Sequence, residues 1–487
     1  METQSLILIG VSMYVVLMML IGFWASRGNH SLTDFAIAGR SIPLWLCTVS
    51  VFATWFGSGI MMGATTAAYE YDMLLMVGEP FASGLCLLLI GLLFARIVRR
   101  TRRLTWPEFF EARYGKVAAT FAAISDVISG TIWLGGLLFT FGVLLQSLAG
   151  VPLGIGIIGG TVVVATYTMI GGMWAVAMTD FVQMSVFVVG LIVLMFVVLS
   201  DAGGWGAISA QLPENAMRLI PLEHTFADWM QYIQVWMTLG VAAVASSSVI
   251  QRALSAKSEG VAQNSFYLAA IAYVFIGSIP LVLGFVASIT MPGVEDPNAI
   301  LTDLAISHLH PVLVAVFVGA IVSAGMSSCD SILLAGSTVV STNLMPLVVR
   351  NPSDQLRLKV VRYAIPVLAL GAMYIAFNAS RAVQVLIDSA SILLAGICVP
   401  FFACFFWSKA NRSGGVASIA SGLATWQIIG TYDPVIPPDL IGFFVSLVVM
   451  IVVTIATQKS DPPRPLTDFD GNEVPLENRF GRLGLKS

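Results

Sequence analysis

Runs of about twenty apolar residues recur from one end of this chain to the other, and a run of that length crosses roughly 30 Å of hydrocarbon as a helix. Thirteen are read, at approximately 5–26, 43–69, 74–99, 117–147, 151–170, 175–200, 228–251, 262–291, 311–346, 360–378, 382–407, 413–431 and 437–457. A soluble protein with one large core does not carry them. Of the 487 residues 57% are hydrophobic and only 10% charged, and the mean hydropathy is +0.89. The chain is therefore expected to be an all-α polytopic membrane protein.

Lysine and arginine orient it. With the N-terminus outside, thirteen crossings leave only Arg218 and Arg381 on the outer side, of 24 basic residues, and put the cluster Arg96, Arg99, Arg100, Arg102, Arg103, Arg113 and Lys116 inside together with Arg27, Arg252 and the rest. That asymmetry is the positive-inside rule, and a wrong number of crossings would scramble it. The C-terminus is then cytoplasmic, and the location expected is the plasma (inner) membrane.

Other classes find little support. Cys47, Cys86, Cys329, Cys398 and Cys404 all lie in apolar runs without paired spacing, so neither a disulfide framework nor a zinc site is expected. His30, His224, His308 and His310 fall in loops, which argues against a metal centre. Residues 1–4 lack the basic start of a cleavable signal, so the first run is expected to remain as a span. The longest stretches outside the membrane, about 201–227, 292–310 and 458–487, are too small for a catalytic core. Residues 1–458 are read as one transmembrane domain, and the polar, proline-rich tail 459–487 as disordered. No enzyme is expected.

Within the second run, Ala53-Thr54-Trp55-Phe56-Gly57-Ser58-Gly59 places two glycines where a helix should be strongest, at about 1 kcal/mol each relative to alanine. Unwound backbone at membrane depth is tolerated where it faces a cavity or ligand. Five runs later, Ala243-Val244-Ala245-Ser246-Ser247-Ser248 interrupts the seventh run at the corresponding place. Paired interruptions mark a transporter built from inverted repeats, with its site at the midplane. Small residues that merely let helices approach closely would read the same way on these two stretches alone.

The ninth run decides between them. Ala324, Ser327 and Ser328 stand at i, i+3, i+4, and Ser327, Asp330 and Ser331 repeat the spacing, so one helix face carries two stacked sets of oxygen ligands. Such oxygens suit a small hard cation, although serines alone can bond back to their own helix. Glu79, Asp126, Asp180, Asp330 and Asp388 also lie within runs, and no arginine or lysine is expected inside a span to pair with them. A central charge costs about 2.5–3.5 kcal/mol on insertion scales, so these carboxylates are either protonated and structural, as for Asp126 and Asp388 near span ends, or they meet cations. An acidic interior is a poor site for an organic anion. Pro80 leaves a carbonyl unpaired beside Glu79 and turns that carboxylate toward a cavity.

In order along the chain, "DFAIAGRSIP" (34–43), "LTWPEFFEARYG" (104–115), "YTMIGGMWAVAMTDFVQ" (167–183), "IQRALSAKS" (250–258) and "SAGMSSCDS" (323–331) resemble the landmarks of the sodium:solute symporter family. The resemblance implies a five-plus-five inverted repeat (a LeuT-like core, about 43–200 and 228–408) with extra helices, and sodium-coupled import of a small solute by alternating access. It implies a sodium held by carbonyls of Ala53, Phe56 and Ala324 and hydroxyls of Ser327 and Ser328. Some members hold a second sodium, here implied at Asp180, Ser327, Asp330 and Ser331, with Asp330 departing from the commoner serine. "ATWFGSG" and "MSSCDS" are most similar to the choline-transporter branch, where Trp55 and Trp133 match aromatics that enclose a quaternary ammonium. Ser246 and Ser83 stand where that branch carries a tryptophan and a tyrosine. The substrate set expected is Trp55, Gly57, Ser58, Glu79, Trp133 and Ser246, for an organic cation or else a neutral or zwitterionic solute such as an amino acid, or a carboxylate.

The partners expected are the solute, sodium ions and membrane lipid, with no nucleic acid and no obligate protein. A cation channel also uses oxygen ligands but is normally assembled about an oligomeric axis. A sensor needs an output domain, and intramembrane hydrolysis needs a Ser-His, His-Glu-x-x-His or two-aspartate motif, none of which is read here.

Overall fold

The computed structural model describes residues 2–26, 31–57, 59–221, 225–294, 296–379, 382–432, 434–478 and 481–482. Ser58, Arg27, Arg381, His30 and His224, named above, lie outside them. Among the described residues the regular structure is helical apart from a two-residue antiparallel ladder, Glu477–Asn478 with Gly481–Arg482, and two isolated bridges, Ile42 with Ala256 and Thr467 with Glu473.

The helices that matter below are α1 (Glu2–Ala25), α2 (Leu44–Trp55), α3 (Thr65–Glu70), α4 (Met73–Arg100, locally unwound), α5 (Pro107–Ala149), α6 (Leu153–Asp201), α7 (Phe226–Val235), α8 (Ser247–Ser255), α9 (Glu259–Thr290), α10 (Pro311–Val339), α11 (Asp354–Asn378), α12 (Ala382–Ile392), α13 (Arg412–Ile429) and α14 (Pro438–Thr457). Among the described residues eight helices are long and apolar enough to cross a membrane, or nine if the bent pair Phe226–Ala245 and Ser247–Ser255 is one span. The other expected crossings fall on helices that are short, broken or fused. The runs expected at 151–170 and 175–200 lie in the single element α6, which Gly172 divides with a left-handed φ of 62° that only glycine adopts at no steric cost. Gly115 (φ 81°) separates the start of α5, Pro107–Tyr114, from its long remainder in the same way.

Both broken spans are real breaks. α2 stops at Trp55, with Phe56 leaving helical geometry (φ −79°, ψ 64°), and α7 gives way through tighter and looser turns to Ser246 in extended conformation (φ −71°, ψ 129°), bending the span by 46°. The two are tied together where α2 begins and α8 ends. Ile42 donates its N–H to Ser255 O at 3.2 Å, and Lys257 returns a bond to Ile42 O at 2.9 Å. Around them α2 packs on α6, α9 and α10, while α1 packs on α6 and α10. Each pairing buries apolar side chains of the small-residue-rich helices that form the interior.

The expectation of a disordered tail does not hold for residues 459–478. Arg103 donates to Thr467 O at 3.0 Å and Asp468 O at 3.1 Å, Arg102 pairs with Asp470 at 2.7 Å, and Phe469 N–H reaches Thr101 O at 2.9 Å. Leu466 and Val474 are buried, and Arg113 donates to Arg464 O. Composition alone misjudges this segment because its carbonyls and carboxylates find partners in the arginine cluster of the preceding loops.

Candidate functional site

The break after α2 frees a specific carbonyl. In a continuous helix Gly57 N–H would bond Ala53 O, but it turns back to Trp55 O at 2.8 Å, and Ala53 O is met by the Ser328 hydroxyl at 3.4 Å. Gly57 permits the approach. A Cβ there would stand 2.6 Å from Ser328 Oγ, closer than side-chain atoms tolerate. Ala53, Phe56, Ala324 and Ser328 are all buried, and the Phe56 ring is turned into the core, stacked on Phe52 at 4.6 Å. A carbonyl and a hydroxyl from two spans thus meet at a helix break, in the chemistry of a hard-cation site.

Ser327, expected beside Ser328, faces the other way. Its hydroxyl donates to Asp180 Oδ1, and Ser50 donates to Asp180 Oδ2 at 2.6 Å. One turn on, Asp330 accepts from Tyr167 at 2.7 Å and from Ser331 at 3.2 Å. The four residues expected to form a second site are therefore gathered in one buried cluster.

That cluster also holds the main correction to the sequence reading. Arg252, expected in an inner loop, is only 1% exposed, sits 3.9 Å from Asp180 and donates to Ser331 Oγ. The expectation that no basic residue lies inside the spans is thus wrong. By hydropathy the seventh run ends at residue 251, whereas α8 continues after the Ser246 break and carries Arg252 into the interior. The signal is present in "IQRALSAKS", where an arginine follows four residues after the serine run.

A cavity opens between the two breaks. Trp55, Gly57, Glu79, Trp133 and Ser246 of the expected substrate set line it, along with Ser328. Trp55 and Trp133 meet edge to face, centroids 6.3 Å apart at 86°. Backbone at Glu79 leaves helical geometry (φ −126°, ψ 116°) beside Pro80. The Tyr273 hydroxyl lies 2.7 Å from Glu79 Oε2 and 3.2 Å from Trp55 O, joining the carboxylate to the first break.

Asp126 lines the same cavity, accepting the Ser247 hydroxyl at 2.6 Å and the Trp106 indole N–H at 3.0 Å. It therefore sits at the second break, while Asp388 is exposed on α12. Tyr273, Tyr167, Ser50 and Trp106 are given no role by the sequence reading. Tyr273, Tyr167 and Ser50 are polar groups within apolar runs, and Trp106 stands just before α5, so the partner of each is visible only in the folded chain.

Residues 35–422 match the family model described as the sodium:solute symporter family. The high-affinity choline transporter 1 of Drosophila melanogaster is 26% identical over 386 residues, 76% of this chain and 62% of that protein's length, so the chain spans under two thirds of that relative. The high-affinity proline transporter PutP of Bacillus subtilis is 27% identical over 484 residues, covering 93% and 98% of the two chains. A solved structure of a Na+-coupled sialic acid symporter, substrate-bound and outward-open, superposes with a TM-score of 0.80 at 20% identity over 95% of this chain and 99% of that one, which is a likeness of fold.

Proposed function

Since the chain belongs to the sodium:solute symporter family, whose members are transporters and not enzymes, we propose that it carries a small organic cation, of the quaternary ammonium kind, inward with sodium across the plasma (inner) membrane. The observation that carries the sodium half is the Ser328 hydroxyl on the freed Ala53 carbonyl. Ala53, Phe56, Ala324 and Ser328 supply the oxygens, while the Ser327 hydroxyl is turned away to Asp180. Sodium binding there draws α10 against the first break and completes the cavity, which opens alternately to either side with the N-terminus outside and the C-terminus inside.

The cation half rests on Glu79 and the two tryptophans lining one cavity. Helix C-termini carry partial negative charge, and Glu79 is joined to the end of α2 through Tyr273, so negative potential and two aromatic faces converge there. Similarity to choline transporters points the same way. A second reading, an amino-acid substrate, is favoured by the longer match to the proline transporter. The Asp180 and Asp330 cluster is the proposed second ion site. With both carboxylates ionised, the one guanidinium leaves one negative charge, which one monovalent cation would balance.

Uptake into proteoliposomes under an imposed inward sodium gradient tests the proposal. Choline-type cations should accumulate only with sodium outside, and uptake equal in potassium would refute it.

A further inference from the structure

Transporters built on broken helices present the positive N-terminus of a half-helix to an anionic group of the substrate. In this protein that place is already filled. The first turn of α8 opens on the cavity through Ser246, Ser247, Ser248 and Val249, and its N-cap, Ser246, makes no side-chain capping bond. The orphan N–H groups and positive end of a nine-residue helix are left facing the cavity. Into that position α5 delivers Asp126, only 6% exposed, with the Ser247 hydroxyl at 2.6 Å and the Trp106 indole at 3.0 Å. No ion pair among the described residues involves Asp126 or Glu79. Among the described residues lining the cavity none is lysine, arginine or histidine.

We propose that Asp126 is the resident anion of the α8 N-terminus and a specificity-determining residue that turns the transporter against solutes carrying a carboxylate. A substrate carboxylate directed at this break meets a fixed like charge and finds the Ser247 hydroxyl already engaged. A cation meets none of that repulsion and is drawn to Glu79 at the opposite break. The inference rests on the cation reading above and adds a reason why zwitterions are refused.

Choline and betaine make a matched pair, with one trimethylammonium head and either a hydroxyl or a carboxylate tail. Thermal stabilisation of the purified full-length protein by each, in saturating sodium, gives their half-saturating concentrations. Wild type should need at least tenfold less choline than betaine. Asp126→Asn should cut that ratio at least tenfold by tightening betaine, while Glu79→Gln should weaken choline without improving betaine. Asp126→Ser, which keeps a polar group at the helix start, serves should the amide variant not fold, with the same expected change. An unchanged ratio in a folded variant, or a fall produced only by weaker choline, overturns the role of Asp126 and leaves the cation reading in place. A wild type that choline does not protect more strongly than betaine removes the cation reading, and this inference with it.

Discussion

Ser328 and Ala53 stand 275 positions apart in sequence, yet the serine hydroxyl lies 3.4 Å from the alanine carbonyl oxygen. The contact exists because α2 stops one residue before its hydrogen-bonding would have consumed that carbonyl, and because Gly57 has no side chain to hold α10 away. A ligand pair made by two spans, rather than by one, is what lets an ion report on how the spans are arranged.

Gly57→Ala should therefore act through Ser328. Its Cβ would fall 2.6 Å from Ser328 Oγ, and crowding of this kind costs about 1–3 kcal/mol. Half-saturation for sodium in transport should rise about tenfold, and the double variant with Ser328→Ala should be no worse than the single ones, since both remove the same ligand. Additive losses would place the defect of Gly57→Ala elsewhere.

Arg252 and Asp180 form a buried pair, and leaving one such charge without the other costs about 3–5 kcal/mol. Arg252→Met should lower the apparent Tm sharply, and adding Asp180→Asn should recover part of the loss. A double variant as unstable as Arg252→Met would show that the guanidinium serves Ser331 and its own helix rather than Asp180.

If the same cluster holds a second ion, two sodium charges move in each cycle in addition to that of the cationic solute, each worth about 2.3 kcal/mol per 100 mV. Uptake by the wild type should be steeply voltage-dependent with a sodium Hill coefficient above one, and Asp330→Asn should bring the coefficient toward one. A wild-type coefficient of one would make Asp330 a structural partner of Tyr167.

The tail is open to a simpler check. Arg464 lies in a segment whose carbonyl is held by Arg113, with Leu466 buried two residues on. The amides of Phe469 and Val474, bonded to Thr101 O and Leu466 O, should exchange slowly in hydrogen–deuterium exchange read by mass spectrometry, and Arg113→Ala should speed exchange across residues 464–474. Rapid exchange there in wild type would return the tail to disorder.

What is legible in the sequence follows from where the signals are local. The two breaks are written in glycines and serines within apolar runs and are readable without a partner, whereas the spacing of three and four along α10 does not reveal that Ser327 turns to Asp180 and Ser328 to Ala53. Arg252 is not readable, because its burial depends on α8 continuing past a bend that hydropathy records as the end of a span. Asp126 stays between two readings for a related reason. Trp106, its partner, sits twenty positions earlier across the Gly115 turn, and Ser247 on another span altogether, so its setting exists only in the folded chain. The tail fails in the opposite direction, since low apolarity argues for disorder and the arginines that hold it are more than three hundred residues away.

Sodium binding measured without any solute bears most directly on the site at the first break. The melting temperature of purified protein, titrated with sodium chloride against potassium chloride at constant ionic strength, should rise with sodium alone. In Ser328→Ala the half-saturating sodium should shift upward about tenfold, the ~1.4 kcal/mol scale of one lost oxygen contact, with the sodium-free melting temperature little changed. Equal stabilisation by the two salts, or an identical sodium titration in the variant, would contradict a sodium site built on Ala53 and Ser328.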